Sequence, residues 1–120
     1  GSNNVYNYVI LGSLYFAIEK YDLTWEQYEK ARAAGYKFYE DSIEYSRYMK
    51  TAEEVGEYQK IIDMAQDYLK ERGQDADTYY NIAVGYFHLG EKEKAKEFFS
   101  KALELNPERY KEYEPLFMSQ

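Results

Sequence analysis

The sequence predicts an all-α protein of about seven helices, arranged as a solenoid of antiparallel helix pairs. Apolar residues recur three and four positions apart, as they do along one face of a helix, and no stretch shows the alternation of a strand. The chain has only 7 glycines and 2 prolines in 120 residues. Without a Gly, Ser or Pro stretch long enough for a linker, the helices are predicted to follow one another in one continuous domain.

Helix boundaries are predicted from capping signals. Starts are indicated by Thr24 with Gln27, by Asp41 with Glu44, and by Asn106 before Pro107, since such side chains satisfy the free amides of a first turn. Stops are indicated by glycines, which accept the left-handed backbone that closes a helix, at positions 35, 56, 73 and 90. The predicted helices span residues 4–20, 25–34, 42–55, 57–72, 76–89, 91–105 and 107–113.

Composition excludes several classes of function. The net charge is −7 and no Lys or Arg cluster is present, so nucleic acid is not an expected partner. The apolar stretch 5–18 contains Asn7 and several tyrosines and is shorter than the roughly 20 residues of a membrane span. We therefore expect a buried helix and no membrane insertion. Residues 1–4 are predicted to be a tag remnant or linker, no signal peptide is recognised, and the compartment stays undetermined.

The residues of enzymatic chemistry are scarce. The chain has no cysteine and one histidine, His88, and its glycines form no phosphate-binding loop. The 22 acidic residues are interleaved with lysines at helical spacing, which is typical of solvated helix faces. We therefore predict no enzyme activity, no cofactor and no metal site.

Residues 76–109 carry a pattern of large and small side chains that identifies a family. The pattern consists of Tyr79, Ile82, Ala83, Tyr86, Ala95, Phe99, Ala102 and Pro107. It resembles the tetratricopeptide repeat, a pair of helices in a unit of about 34 residues. In such a pair the small residues lie where the helices cross closest and the large ones fill the space beside them. The resemblance implies a superhelix of helical hairpins.

Two earlier copies of the pattern are weaker. Residues 42–75 show it in degenerate form, with the register set by the segment 56–62, and residues 5–38 show it mainly in their first helix. The sequence thus predicts a single repeat domain over residues 5–120, with repeats at 5–38, 42–75 and 76–109. Residues 107–120 are predicted to form a capping helix and tail that cover the last repeat.

The family resemblance implies a binding surface. In tetratricopeptide-repeat proteins the first helix of each repeat lines a concave groove that binds a peptide or helix of a partner protein. The groove positions here are Tyr6, Val9, Ser13 and Phe16 in the first repeat, Ile43, Ser46 and Lys50 in the second, and Asp77, Tyr80, Val84, Phe87 and His88 in the third. For Tyr6, Val9 and Phe16, burial by neighbouring repeats is an equal alternative. The expected partner is a protein or peptide with an amphipathic or hydrophobic segment.

Two other functions stay open at this point. One is a structural or self-associating module, including a segment appended to a larger protein such as a bacterial membrane-associated enzyme. The other is an engineered repeat protein without a natural ligand, against which the degenerate repeats and the three residues between the first two repeats argue.

Overall fold

The chain folds into helices. The computed structural model describes residues 2–119, and within them no strand is present. The α-helices in chain order are α1 Ser2–Ala17, α2 Tyr21–Ala33, α3 Ser42–Val55, α4 Tyr58–Arg72, α5 Ala76–His88, α6 Lys92–Leu105, α7 Pro107–Tyr110 and α8 Glu114–Met118. Short 3₁₀ turns occupy Phe38–Glu40 and Lys111–Tyr113. The predicted all-α class of antiparallel helix pairs is confirmed, since α1 packs on α2 and α5 on α6 across three-residue turns.

Several helix ends lie where capping residues predicted them. The Asp41 carboxylate accepts hydrogen bonds from the backbone amides of Ile43 and Glu44, 3.0 and 3.2 Å away, at the start of α3. Asn106 accepts from the amide of Arg109 at 3.3 Å at the start of α7. Gly56 closes α3 in the left-handed conformation with φ of 79°. These local interactions are independent of tertiary packing, which is why the sequence predicted them.

The first helical hairpin differs from the prediction. α2 begins at Tyr21, so the predicted start at Thr24 was wrong. Thr24 is fully buried, and its hydroxyl donates to the backbone oxygen of Lys20, the residue before α2, at 3.2 Å. α1 ends at Ala17 rather than at residue 20, because Glu19 turns the chain with a φ of 59°. Burial has therefore outweighed the capping preference of threonine.

The chain divides into two compact units, and each is described by itself. Unit 1 ends at Glu57 and unit 2 begins at Tyr58, so the boundary falls within the predicted second repeat, 42–75. Of the predicted tag remnant 1–4, Gly1 lies outside the described residues and the remainder begins α1. The predicted repeat boundaries 5–38 and 42–75 stay predictions.

Unit 1 has an aromatic core. Tyr28, Phe38 and Tyr48 are fully buried, and the Phe38 ring lies 4.9 Å from each of the two tyrosine rings. Both tyrosine hydroxyls donate to carboxylates, Tyr28 to Glu44 at 2.6 Å and Tyr48 to Glu29 at 3.1 Å. A phenol thus fills the core with its ring while its hydroxyl keeps a hydrogen-bond partner.

Unit 2 has a core that extends from α5 and α6 to the C-terminal segment. Its buried members are Ala83, Ala95, Phe99, Ala102, Tyr110 and Phe117. The Phe99 and Phe117 rings stack with centroids 4.4 Å apart and planes 9° apart. Residues after Pro107 therefore complete this core. Pro115 lies in the first turn of α8, a position that needs no backbone N–H.

Candidate functional site

Four of the predicted groove residues form a stripe along α5 in unit 2. Asp77, Tyr80, Val84 and Phe87 follow one another three and four positions apart, so they share a helix face. Asp77 is exposed, Tyr80 and Val84 are half-buried, and Phe87 is 41% exposed. The stripe is therefore a partly open surface with a carboxylate at one end and an aromatic ring at the other.

The carboxylate end of the stripe is fixed by the C-terminal segment. Asp77 accepts a hydrogen bond from the Tyr110 hydroxyl and forms an ion pair with Arg109, whose Nε lies 3.2 Å from Oδ1. Burial, and then the hydrogen bond to Asp77, raise the pKa of the Tyr110 hydroxyl above its usual value. The same carboxylate raises the pKa of the Arg109 guanidinium. The Tyr110 hydroxyl therefore stays protonated at neutral pH and orients the Asp77 carboxylate.

A cleft of about 550 Å³ opens beside Asp77. Its lining brings together residues of α5 and of the C-terminal segment: Asp77, Tyr80, Asn81, Glu108, Arg109, Tyr110, Glu112 and Tyr113. Three carboxylates thus face a single guanidinium, and that guanidinium is already paired with Asp77. The cleft is acidic with aromatic walls, a combination that suits a cationic side chain.

The Tyr80 ring forms part of the cleft wall and of the core. It stacks on Tyr110 at 4.8 Å and makes edge or tilted contacts with Tyr113 at 5.8 Å and Phe117 at 5.9 Å. Removing the ring would disturb the packing of the whole C-terminal segment. Tyr80 therefore shapes the surface rather than standing free on it.

The aromatic end of the stripe is more open. The Phe87 ring contacts Phe117 edge to face at 5.5 Å. His88 is exposed and stacks flat on Tyr58 of α4, with centroids 4.3 Å apart and planes 5° apart. Phe87 and His88 thus form an exposed aromatic pair at the end of α5, their ring centroids 5.9 Å apart.

In unit 1 the structure distributes the predicted residues over different environments. Val9 is buried in the core, at 8% exposure. Tyr6 is 63% exposed, meets Tyr36 edge to face at 6.4 Å, and lines a separate cleft of about 450 Å³. On α3, Ile43 and Ser46 are exposed, and the Lys50 amine pairs with Glu54 at 2.9 Å.

Ser13 and Phe16 both contact side chains of α3. The Arg47 guanidinium lies 5.9 Å from the Phe16 ring centre and donates to the Ser13 hydroxyl at 3.2 Å. It also donates to the Glu44 carboxylate at 2.7 Å, and Ser13 donates to the same carboxylate at 2.9 Å. A half-buried hydrogen-bond network thus occupies the space between these predicted groove positions.

Two parts of these surfaces were missed at the sequence level. Arg109, Tyr110 and Tyr113 supply one wall of the acidic cleft, yet they lie at or beyond the end of the repeat and were interpreted only as a cap. Arg47 was not assigned a role. The available signal was composition, since residues 108–113 are rich in tyrosine and charge.

Among residues 2–119, no three His, Asp or Glu side chains are grouped so as to hold a metal ion. None of the helices described here is both long and apolar enough to cross a membrane.

One part of this fold is similar to a known protein family. The family model of the tetratricopeptide repeat matches residues 76–109, the boundaries that the pattern predicts, and the matched segment contains α5 and α6. No significant match was found among curated proteins. Repeats of this family are a non-enzymatic type of module and generally mediate protein–protein interaction. The segment of residues 76–109, formed by α5 and α6, is therefore similar to a tetratricopeptide repeat.

Proposed function

We propose that this chain is a non-catalytic module that binds a segment of a partner protein along the α5 stripe of unit 2. The observation that carries the proposal is that one end of the α5 stripe lines the acidic cleft. Asp77 and Tyr80 line the cleft, and Phe87 lies on the same helix face ten residues beyond Asp77, about 15 Å away at 1.5 Å per residue. One short segment reaches both ends.

The chemistry of the two ends suggests what the segment contains. The carboxylates of Asp77, Glu108 and Glu112 outnumber the guanidinium of Arg109, so a lysine or arginine of the partner gains charge complementarity there. Phe87 and half-buried Val84 favour an apolar side chain at the other end. The favoured ligand is a segment with a cationic and an apolar residue about 15 Å apart, which in a helix means ten positions.

Selection from a random peptide display library with the wild-type chain as bait tests this proposal. We expect enrichment of peptides that pair Lys or Arg with an apolar residue. Synthetic versions of the selected peptides then bind the Glu112→Lys variant at least about tenfold more weakly, because the cleft loses its excess of negative charge. Phe87→Ala weakens binding by a similar factor if the ring is an anchor.

The matched control is Glu97→Lys. Glu97 is a residue of α6 that does not line the cleft, and its reversal changes the net charge by the same amount. Equal weakening by Glu97→Lys and Glu112→Lys would indicate a nonspecific charge effect and contradict the assignment. Helical circular dichroism of each variant confirms that the fold is kept.

A further inference from the structure

α1 and the residue that follows it expose a continuous apolar face, called here the α1 face. Its centre consists of Ile10, Leu14 and Ile18, which are 58%, 61% and 63% exposed. Tyr6 lies on one side at 63% and Leu11 on the other at 38%. These residues recur at helical spacing, and no charged residue occurs in α1. The α1 face is the kind of patch that marks an interaction surface.

The corresponding face of α5 is covered by a helix. The repeat pattern aligns residue 5 with residue 76, so Leu11 aligns with Ile82 and Leu14 with Gly85. Ile82 is fully buried, and a Cβ at Gly85 would lie 2.7 Å from the Ile62 side chain of α4. α5 thus uses this face to pack against another helix. α1 presents the same face to solvent, with a large leucine where α5 has glycine.

We propose that the α1 face binds α1 of a second copy of this chain, forming a symmetric dimer. A fully exposed aliphatic side chain has roughly 130 Å² of surface and an aromatic one about 200 Å². With the exposed fractions given above, the five residues of the α1 face therefore present about 400 Å² of apolar surface per copy. Interfaces are about 60% apolar, so two copies bury about 1,300 Å² in total. That area lies within the range of stable, specific interfaces, about 1,200–2,000 Å².

Charge favours the second copy over a membrane surface. The chain carries a net charge of −7, which opposes association of two copies through most of their surface. α1 carries no charge, so pairing through α1 brings no like charges into contact. It also offers no lysine or arginine to anionic lipid headgroups, which surface-bound helices use. The α1 face lies within unit 1, so this proposal is independent of the α5 stripe.

Sedimentation equilibrium over a concentration series tests the proposal. We expect the wild-type mass to rise from one chain to two, and Leu14→Glu to reduce the association constant at least ~100-fold, because each copy brings a carboxylate into the apolar interface. The matched control is Leu116→Glu, since Leu116 of α8 is 57% exposed and lies outside the α1 face. A single-chain mass up to about 1 mM overturns the proposal, as does equal loss of association in both variants.

A cysteine variant reports the geometry directly. The chain has no cysteine, so Leu14→Cys introduces one thiol at the centre of the face. In a symmetric α1 pair, oxidation links two copies through this position, since a disulfide needs Cα atoms within about 7 Å. Leu116→Cys is the control. The proposed interface is overturned if disulfide dimers form from Leu116→Cys but not from cysteines at positions 10, 14 and 18. It is also overturned if the wild-type chain binds neutral lipid vesicles and does not self-associate.

Discussion

At the scale of single residues, the packing of Gly12 against Tyr28 gives a clear test. A Cβ at position 12 would lie 2.5 Å from two ring carbons of Tyr28. That ring is fully buried, and its hydroxyl is held by Glu44 at 2.6 Å, so it has little freedom to move. The hydrogen at Gly12 is therefore what allows α1 to approach α2.

We expect Gly12→Ala to lower the free energy of unfolding by about 1–3 kcal/mol, the usual cost of overpacking a core. Helix propensity alone acts in the opposite direction and would stabilise the variant by about 1 kcal/mol. Urea unfolding followed by circular dichroism gives the sign of the change. A higher midpoint than that of the wild type would mean that the close contact of α1 and α2 does not constrain position 12.

Glu44 shows how far a local sequence signal reaches. The spacing of Asp41 and Glu44 predicts a capping box, and Asp41 does cap α3. The Glu44 carboxylate, however, accepts hydrogen bonds from Tyr28, Ser13 and Arg47. The Asp41 cap depends only on local backbone geometry and was predictable from the sequence. The partners of the Glu44 side chain lie up to 31 positions away, and only the tertiary fold brings them together.

At the scale of the elements, the C-terminal segment is both core and site. Phe117 is 5% exposed and stacks on Phe99 at 4.4 Å, while Tyr110 orients Asp77. The sequence predicted that this segment covers the last repeat. It did not predict that α8 starts at Glu114 or that Tyr113 lines a cleft, because neither follows from the repeat pattern.

We expect Phe117→Ala to destabilise unit 2 by about 3–5 kcal/mol, since it removes a buried ring and leaves a cavity beside Phe99. The matched control is Leu116→Ala at the neighbouring, 57% exposed position, for which a change within about 0.5 kcal/mol is expected. Hydrogen exchange of the α5 and α6 amides reports the loss locally. Equal protection in both variants would show that the Phe117 ring contributes little to the stability of the repeat.

At the scale of the whole molecule, predictability follows the strength of the repeat pattern. Residues 76–109 were identified from sequence because Ala83, Ala95 and Ala102 are small and buried where helices pack, and Phe99 is large beside them. In residues 42–75, several positions that are small in the repeat pattern hold large side chains, and the reverse. The pattern therefore aligns these residues with the repeat but does not predict how their helices pack. The α5 stripe followed from the register, but the acidic cleft did not, since half of its wall comes from the segment that follows α6.

Buried tyrosines in both units make the free energy of unfolding fall as pH rises in the alkaline range. Burial is the main cause that raises the pKa of Tyr36 to about 12 and the pKa values of Tyr28, Tyr48 and Tyr110 further. In the unfolded chain these hydroxyls ionise near pH 10, roughly the value of a free tyrosine. Above that pH the unfolded state binds fewer protons than the folded state, so stability falls as pH rises. Their contribution is complete below about pH 10 and is lost as pH rises through about 12 and beyond.

We therefore expect two phases in an alkaline titration followed by tyrosinate absorbance and circular dichroism together. In the first phase, at the ordinary pKa of tyrosine of about 10, helicity is unchanged. The hydroxyls with a raised pKa ionise at higher pH, in the same step in which helicity is lost, because ionisation and unfolding are linked. Replacing Tyr48 by Phe removes one group whose ionisation drives unfolding. Between neutral pH and the second phase, the free energy of unfolding of this variant therefore falls less than that of the wild type. Ionisation of all tyrosines in one phase, with the helices intact, would contradict the burial of these hydroxyls.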